Sequence, residues 1–365
     1  MAAAMHLAER GLYSTSPNPN VGCIIVNAGE IVGRGWHACA GGPHAEVHAL
    51  REAGEKARGA DVFVTLEPCS HHGRTPPCAD ALVSAGVSRV VLATQDPNPQ
   101  VAGSGGERLQ AAGIKVEIGL MQAQAQALNP GFMMRMQQGR PRVRLKLASS
   151  LDGRTAMASG ESRWITGDAA RHDVQHLRAR SSAIVTGIDT VLADDPSMNV
   201  RLDAQQLNGV EPVRQPLRVV LDTQLRMPVT AKMLSLPGET LVLTGNADTG
   251  AQAILQETGA LVERVDVQAG RLVLTAVLEC LAQHEVNDIL LECGATLAGA
   301  FMRAGLVDEL VLYLAPHLMG DTGRGLFSLP GLEKMQSRVE LEWVDVRQVG
   351  ADLKVTLAPH NSTIA

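Results

Sequence analysis

Pro43-His44-Ala45-Glu46-Val47-His48 and Glu67-Pro68-Cys69-Ser70-His71-His72-Gly73-Arg74-Thr75-Pro76-Pro77-Cys78 organise the first half of this chain. One imidazole, two thiols and a carboxylate make up a hydrolytic zinc site: three protein ligands, a fourth position open to water, and a proton carrier beside it. Residues two apart on a helix point about 200° from each other. His44 and Glu46 therefore address one ion only if it lies off the helix end, toward which side chains lean. The break at Gly41-Gly42-Pro43 predicts that end just before His44. Cys78 follows Pro76-Pro77 at the start of another predicted helix, and Cys69 lies in the loop leading to it. The positive end of a helix lowers a thiol's pKa, which favours thiolate ligands at both places. His44, Cys69 and Cys78 are the expected zinc ligands, with Glu46 the general acid and base.

Zinc nucleobase deaminases combine an H-x-E element with a later P-C-x-x-C, the Glu not being a ligand. His44-Ala45-Glu46 and Pro68-Cys69 match, but eight residues rather than two separate Cys69 from Cys78. An isolated H-x-E is usually structural; a Pro-Cys after a strand and a further Cys at a helix start change that balance. His48, one turn past His44, is read as a helix-face residue. His71 and His72 compete as ligands, as pocket lining or as a solvated loop. Cys23 and Cys39 are read as a buried small hydrophobe and a loop thiol.

Working outward, 365 residues imply two domains. Hydrophobic residues make up 45% and charged residues 19%, the composition of a folded soluble protein. Aromatics are confined to three Trp, two Tyr and four Phe, so the cores must be aliphatic and stacking platforms for single-stranded nucleic acid are missing. A net charge of −6 leaves no footprint for a general polyanion binder, so no nucleic-acid partner is expected. The first ten residues lack a signal-peptide core, and no run of 18 apolar residues predicts a membrane span. Six cysteines, two of them in a metal-like motif, indicate a reducing compartment, with the cytoplasm as default.

Taken in order, 2–10 reads as a helix, 21–26 and 31–36 as strands joined by a four-residue hairpin loop, and 44–57 as a helix. Next come a strand at 61–66, a helix at 77–85, a strand at 88–93, a helix at 104–112, a strand at 114–118 and a helix at 121–138. This alternation predicts a sheet covered by helices. Gly139-Arg140-Pro141 reads as a linker, giving domains 1–139 and 140–365. Beyond it, strands at 142–148, 183–186, 217–221, 240–243, 288–291 and 309–314, with a helix at 167–179 capped near Thr166, predict a second α/β domain. A hairpin turning at Gly350 closes the chain. Gly103-Ser104-Gly105-Gly106 does not directly follow a strand and is read as a loop rather than a dinucleotide fingerprint. Glu292-Cys293-Gly294 through Ala300 runs from a buried strand through a Gly turn into a helix, whose free N–H groups can bind phosphate.

Together Asn18-Pro19-Asn20-Val21-Gly22, His44 to Leu50 and Thr65 to Cys78 closely resemble the bifunctional deaminase/reductase family of riboflavin biosynthesis. The long spacing from Cys69 to Cys78 is the form that family uses. The resemblance continues through Lys146 to Arg154, Ser162 to Thr166, Thr190 to Pro196 and Glu292 to Leu297, covering nearly the whole chain. It implies a cytidine-deaminase-like α/β/α domain followed by a dihydrofolate-reductase-like α/β domain, with one Zn2+ and NADPH as cofactors. The first domain would deaminate 2,5-diamino-6-ribosylamino-4(3H)-pyrimidinone 5′-phosphate, and the second would reduce the ribosyl group to ribityl.

By the same resemblance Asn18 and His71 are candidates for holding the first substrate. Cofactor contacts fall on Ala148, Trp164, Thr190, Asp194, Thr223, Gly294, Ala295, Thr296, Leu297, Ala298, Gly299 and Ala300. Substrate contacts fall on Ser162, Arg178, Met198, Arg201 and Glu292, the arginines suiting a sugar phosphate. Lys146 and Asp194 are expected to polarise and protonate the opening ribose. Partners are then a pyrimidine ribotide, no nucleic acid and no membrane, with a homo-oligomer left open. A tRNA or free-nucleobase deaminase with an accessory domain is the competing reading; the acidic balance, few aromatics and motif-bearing second half weigh against it.

Overall fold

The computed structural model describes residues 1–70, 77–99 and 101–360. It divides into two compact units, one of residues 1–140 with 203–213, the other of 141–202 with 214–365.

In the first unit the apolar run Gly22–Asn27 becomes an interior strand because both of its faces find cover. It pairs antiparallel with Glu30–Trp36 on one side and with Asp61–Val64 on the other. Arg89–Leu92 and Lys115–Ile118 extend the sheet in parallel. Helix Ala45–Ala53 lies tight against this sheet, because strand 30–36 carries glycine where the helix crosses it. A Cβ on Gly35 would stand 2.0 Å from the Ala45 carbonyl oxygen, and one on Gly33 2.3 Å from that of Ala49. Ala45, Ala49 and Ala53 are the matching small residues on the helix, all buried. That contact fixes the start of the helix, where His44 and Glu46 sit.

Three local expectations change. The hairpin loop is two residues, since Asn27 and Glu30 pair and Ala28 and Gly29 both take positive φ, the backbone of a tight hairpin turn. The helix expected over 121–138 is two, Gln122–Leu128 and Pro130–Gln138, because the Pro130 ring excludes helical backbone at Asn129, found at φ −132° and ψ 48°. Ser104–Ala111 is helical directly after Gly103, so 103–106 is a helix start rather than a loop. Its Gly105 admits the Pro68 carbonyl, which a Cβ would meet at 2.1 Å.

The second unit holds a nine-stranded sheet in the order Leu261–Arg264, Thr240–Thr244, Leu217–Leu221, Ala183–Gly187, Asp288–Glu292, Arg142–Ser150, Glu309–Ala315, Asp352–Pro359, Leu341–Val349. The first seven are mutually parallel and the last two form an antiparallel hairpin. The inner parallel strands are rich in Val, Leu and Ile because helices cover both faces, with Arg144 and Arg218 as buried charged exceptions. Helix Asp168–Arg180 starts next to Thr166, as expected, without a side-chain cap. Gly167 is its N-cap residue, and the Gly167 N–H donates to Asp352 Oδ2 at 2.8 Å. Among the described residues no helix is long and apolar enough to cross a membrane.

Candidate functional site

His44 is the N-cap residue of helix Ala45–Ala53, in extended backbone at φ −73° and ψ 165°, and Glu46 lies in the first turn. Cys78 is the first residue of helix Cys78–Ala85. The Cys78 N–H, at that helix's positive end, donates to Cys69 Sγ at 3.3 Å. His44 Nδ1 stands 3.3 Å from Cys78 Sγ and 3.6 Å from Cys69 Sγ. All three donor atoms lie within 4.8 Å of one another.

The electrostatics follow from this convergence. The Cys69 thiol is pulled down to about 4, chiefly by its hydrogen bond with Cys78 and also by His44, against the opposing effect of burial. The Cys78 thiol is pushed up by the same hydrogen bond, by burial and by Glu46. One nitrogen and two sulfurs, carrying negative charge and converging on one point, are a donor set that fits zinc better than a hard cation. Glu46, only 3% exposed, has its carboxyl raised to about 7 by burial, with His44 opposing the shift. A carboxyl poised near neutrality can both take and give a proton.

Asn18 is held by a residue absent from the sequence expectation. His37 Nδ1 meets the Pro43 carbonyl at 3.1 Å, which makes it the donor and leaves Nε2 to accept from Asn18 Nδ2 at 3.0 Å. The His37 ring also packs edge-on against His44, with centroids 5.5 Å apart. His37 belongs to no recognisable spacing, so only the fold reveals it. Glu67 is similar: its buried carboxylate accepts the N–H groups of Asp96, Gly103 and Gly106 at 3.0 to 3.1 Å, fixing the segment beside Cys69. His71 lies outside the described residues.

In the second unit Lys146 and Glu292 are register partners on adjacent parallel strands. Arg178 forks the Glu292 carboxylate, with Nε to Oε1 at 2.7 Å and Nη2 to Oε2 at 2.8 Å, and Nη1 reaches the Asn199 carbonyl at 3.2 Å. Burial alone would raise the Glu292 carboxyl; Arg178 first, then Lys146 and Arg201, outweigh it and hold the group at about 2. Burial lowers the Lys146 ammonium, with Glu292 opposing and Arg178 reinforcing.

Elsewhere in this unit the expected residues separate. Ser162 and Asp194 line a cavity of about 480 Å³ with Glu161, Arg163 and the 192–195 segment. Arg163 Nη2 donates to the Asp194 carbonyl at 2.8 Å and approaches Oδ1 at 3.4 Å. Lys146 is not among the residues that line that cavity. Trp164 is exposed, with the Arg171 guanidinium 4.6 Å from its ring centroid. Thr190 is half-buried on helix Ile188–Asp194, and Ala148 is half-buried opposite Tyr313. The Thr223 carbonyl accepts the Gly245 N–H at 3.1 Å.

Three expectations need refinement. The Met198 side chain is buried in an aliphatic cluster with Ile184, Ile188 and Val220, which leaves its backbone for any contact with a substrate. Arg178 gives its fork to Glu292 rather than standing ready for a phosphate; Arg201 is the exposed arginine of the pair. In helix Ala295–Arg303, Gly294 is an N-cap residue without a side-chain cap, and the Ala298 N–H already donates to the Gly294 carbonyl. Donors for an anion are therefore restricted to Ala295, Thr296 and Leu297. Ala298 is buried and Ala300 lies further inside the helix, while Gly299 is required by the Ser328 carbonyl, 2.1 Å from where its Cβ would stand.

A zinc-type donor set with a buried carboxyl beside it is the site of a metal-dependent hydrolase, and a larger parallel sheet carries a second polar cluster. Residues 1–94 match the cytidine and deoxycytidylate deaminase zinc-binding region, and residues 141–355 match the RibD C-terminal domain. The riboflavin biosynthesis protein RibD of Escherichia coli is 54% identical over 358 residues, covering 97% of this chain and 96% of the relative. That of Haemophilus influenzae is 48% identical, covering 98% and 96%. The solved Acinetobacter baumannii RibD, form 1, superposes with a TM-score of 0.90 at 50% identity, covering 98% of this chain and 97% of that one. A Thermotoga maritima structure described as a diaminohydroxyphosphoribosylaminopyrimidine deaminase/5-amino-6-(5-phosphoribosylamino)uracil reductase gives a TM-score of 0.84 at 32% identity, covering 99% and 97%. This chain belongs to the RibD family of riboflavin biosynthesis proteins, bifunctional enzymes with a zinc-binding deaminase domain and a reductase domain.

Proposed function

We propose that residues 1–139 deaminate 2,5-diamino-6-ribosylamino-4(3H)-pyrimidinone 5′-phosphate, and that residues 140–365 reduce the ribosyl group of the product to ribityl with NADPH. The observation that carries the first half is the convergence of His44, Cys69 and Cys78 beside a buried carboxyl near neutrality. His44, Cys69 and Cys78 would hold zinc, whose Lewis acidity brings a water pKa close to neutral. Glu46 takes the proton of the attacking water and delivers protons to the ring nitrogen and the departing ammonia. Asn18, with its Nδ2 committed to His37, keeps its carbonyl oxygen for a donor on the pyrimidine. His71 is assigned to the same substrate by resemblance.

In the second half NADPH supplies the hydride, and Ala295, Thr296 and Leu297 offer N–H groups to a phosphate of the cofactor at their helix start. Trp164, Thr190, Thr223 and Ala148 complete the cofactor's expected contacts. Lys146, desolvated and facing Glu292, is the proton donor to the opening ribose; Asp194 and Ser162 hold hydroxyls at the cavity they line. Arg201 meets the sugar phosphate. The Arg178–Glu292 fork sets the position of Lys146.

The substrate is a small phosphorylated nucleoside-like molecule, with no nucleic-acid partner, and the setting is the cytoplasm. Leu341–Val349 carries exposed Trp343, Val344 and Val346 on an edge strand, which supports a homo-oligomer. Supplying the diaminopyrimidine ribotide with and without NADPH tests the reading. Ammonia should appear in both mixtures and NADPH oxidation should follow it; NADPH oxidation without ammonia release would overturn the order of steps.

A further inference from the structure

A second convergence of metal-type donors stands in the other unit, away from every residue used above. Glu263 lies on the edge strand Leu261–Arg264, and Cys280 and His284 lie one turn apart at the end of helix Leu274–Gln283. The His284 N–H donates to the Cys280 carbonyl at 3.2 Å, so the helical geometry runs through both residues and sets their side chains on one face. His284 Nε2 is 2.7 Å from Glu263 Oε1, and Cys280 Sγ is 3.4 Å from Glu263 Oε2. The three donor atoms lie within 4.8 Å of one another, the same closeness as in the His44-Cys69-Cys78 triad.

We propose that Glu263, Cys280 and His284 form a second site for a thiophilic divalent cation of the zinc class. One sulfur, one imidazole nitrogen and one carboxylate oxygen suit a borderline cation and disfavour Mg2+ or Ca2+, which take oxygen ligands. A helical pair four residues apart supplies two ligands without loop ordering, and the neighbouring strand supplies the third. Side-chain exposures of 28% for His284 and 43% for Glu263 leave room for entry and for a water as fourth ligand. Binding expels the thiol proton, which Cys280 now donates to the Glu263 carboxylate, and exchanges the His284–Glu263 hydrogen bond for two bonds to the ion. One thiolate replaces the two of the deaminase triad, so this ion should be held more weakly.

The test uses the full chain loaded with zinc and dialysed at a buffered free zinc concentration in the micromolar range, with excess Mg2+ present. Metal per chain is then measured by elemental analysis. Two zinc ions are expected in the parent protein, and one in Cys280→Ser and in His284→Ala, each with deaminase turnover unchanged. One zinc ion in the parent protein, or two in both variants, overturns the site. Loss of the remaining ion on Cys69→Ser would be the separate readout of the deaminase triad.

Discussion

The two sites are built from different materials. The deaminase donors sit on two helix starts and one loop, so backbone N–H groups and helix ends prepare them for charge. The polar cluster of the second unit lies among parallel strands and depends on one ion pair, Arg178 with Glu292, to keep Glu292 ionised. A site at helix ends is therefore set by short local sequence, and a site inside a sheet by partners far apart in the chain, such as Arg178 and Glu292.

That contrast is open to breaking. The largest expected effect is in Glu46→Gln, which keeps the three ligands but removes the proton carrier. Deamination should fall about 10³-fold, the upper part of the range for general acid and base catalysis, with zinc content unchanged by elemental analysis.

Next is Arg178→Ala, which leaves Glu292 without its forked partner. Removing one partner of a buried pair costs about 3–5 kcal/mol, measurable by chemical denaturation at neutral pH. Its pH dependence sharpens the point. Glu292 is held at about 2 against an ordinary 4.5, so it contributes stability fully present above pH 4.5 and lost as pH falls toward 2. That contribution is about 3 kcal/mol, and the acid-side slope it produces should be missing in the variant.

A smaller effect is expected in Gly35→Ala, where the new Cβ must displace the Ala45 carbonyl. Overpacking of about 1–3 kcal/mol should lower the melting temperature and, because the helix start moves, weaken zinc retention against a chelator. The smallest is His37→Phe, which removes one hydrogen bond to Asn18 worth about 1 kcal/mol. It should raise KM for the pyrimidine roughly fivefold with little change in kcat, by steady-state ammonia release.

Legibility in the sequence followed the same division. His44, Glu46, Cys69 and Cys78 could be read because helix-break residues and spacing mark where side chains must converge. Glu292 and the helix start after Gly294 were readable as a strand-to-turn-to-helix passage. The aim of Arg178 was not, because nothing local in Asp168–Arg180 says which face meets strand 288–292. Met198 and His37 escaped for the same reason, since burial and a contact made across 19 residues are products of tertiary packing. The break at Asn129 was available in Pro130 but was outweighed by the helical look of the flanking residues.

The central claim, two chemically independent sites in one chain, is tested most directly with Glu46→Gln and Lys146→Met assayed singly and mixed. Glu46→Gln should release no ammonia yet oxidise NADPH when given the deaminated ribotide. Lys146→Met should release ammonia at the parent rate and leave NADPH untouched. The mixture should regain both reactions from the diaminopyrimidine ribotide. Loss of both reactions in either single variant, or undiminished NADPH oxidation in Lys146→Met, would contradict the account.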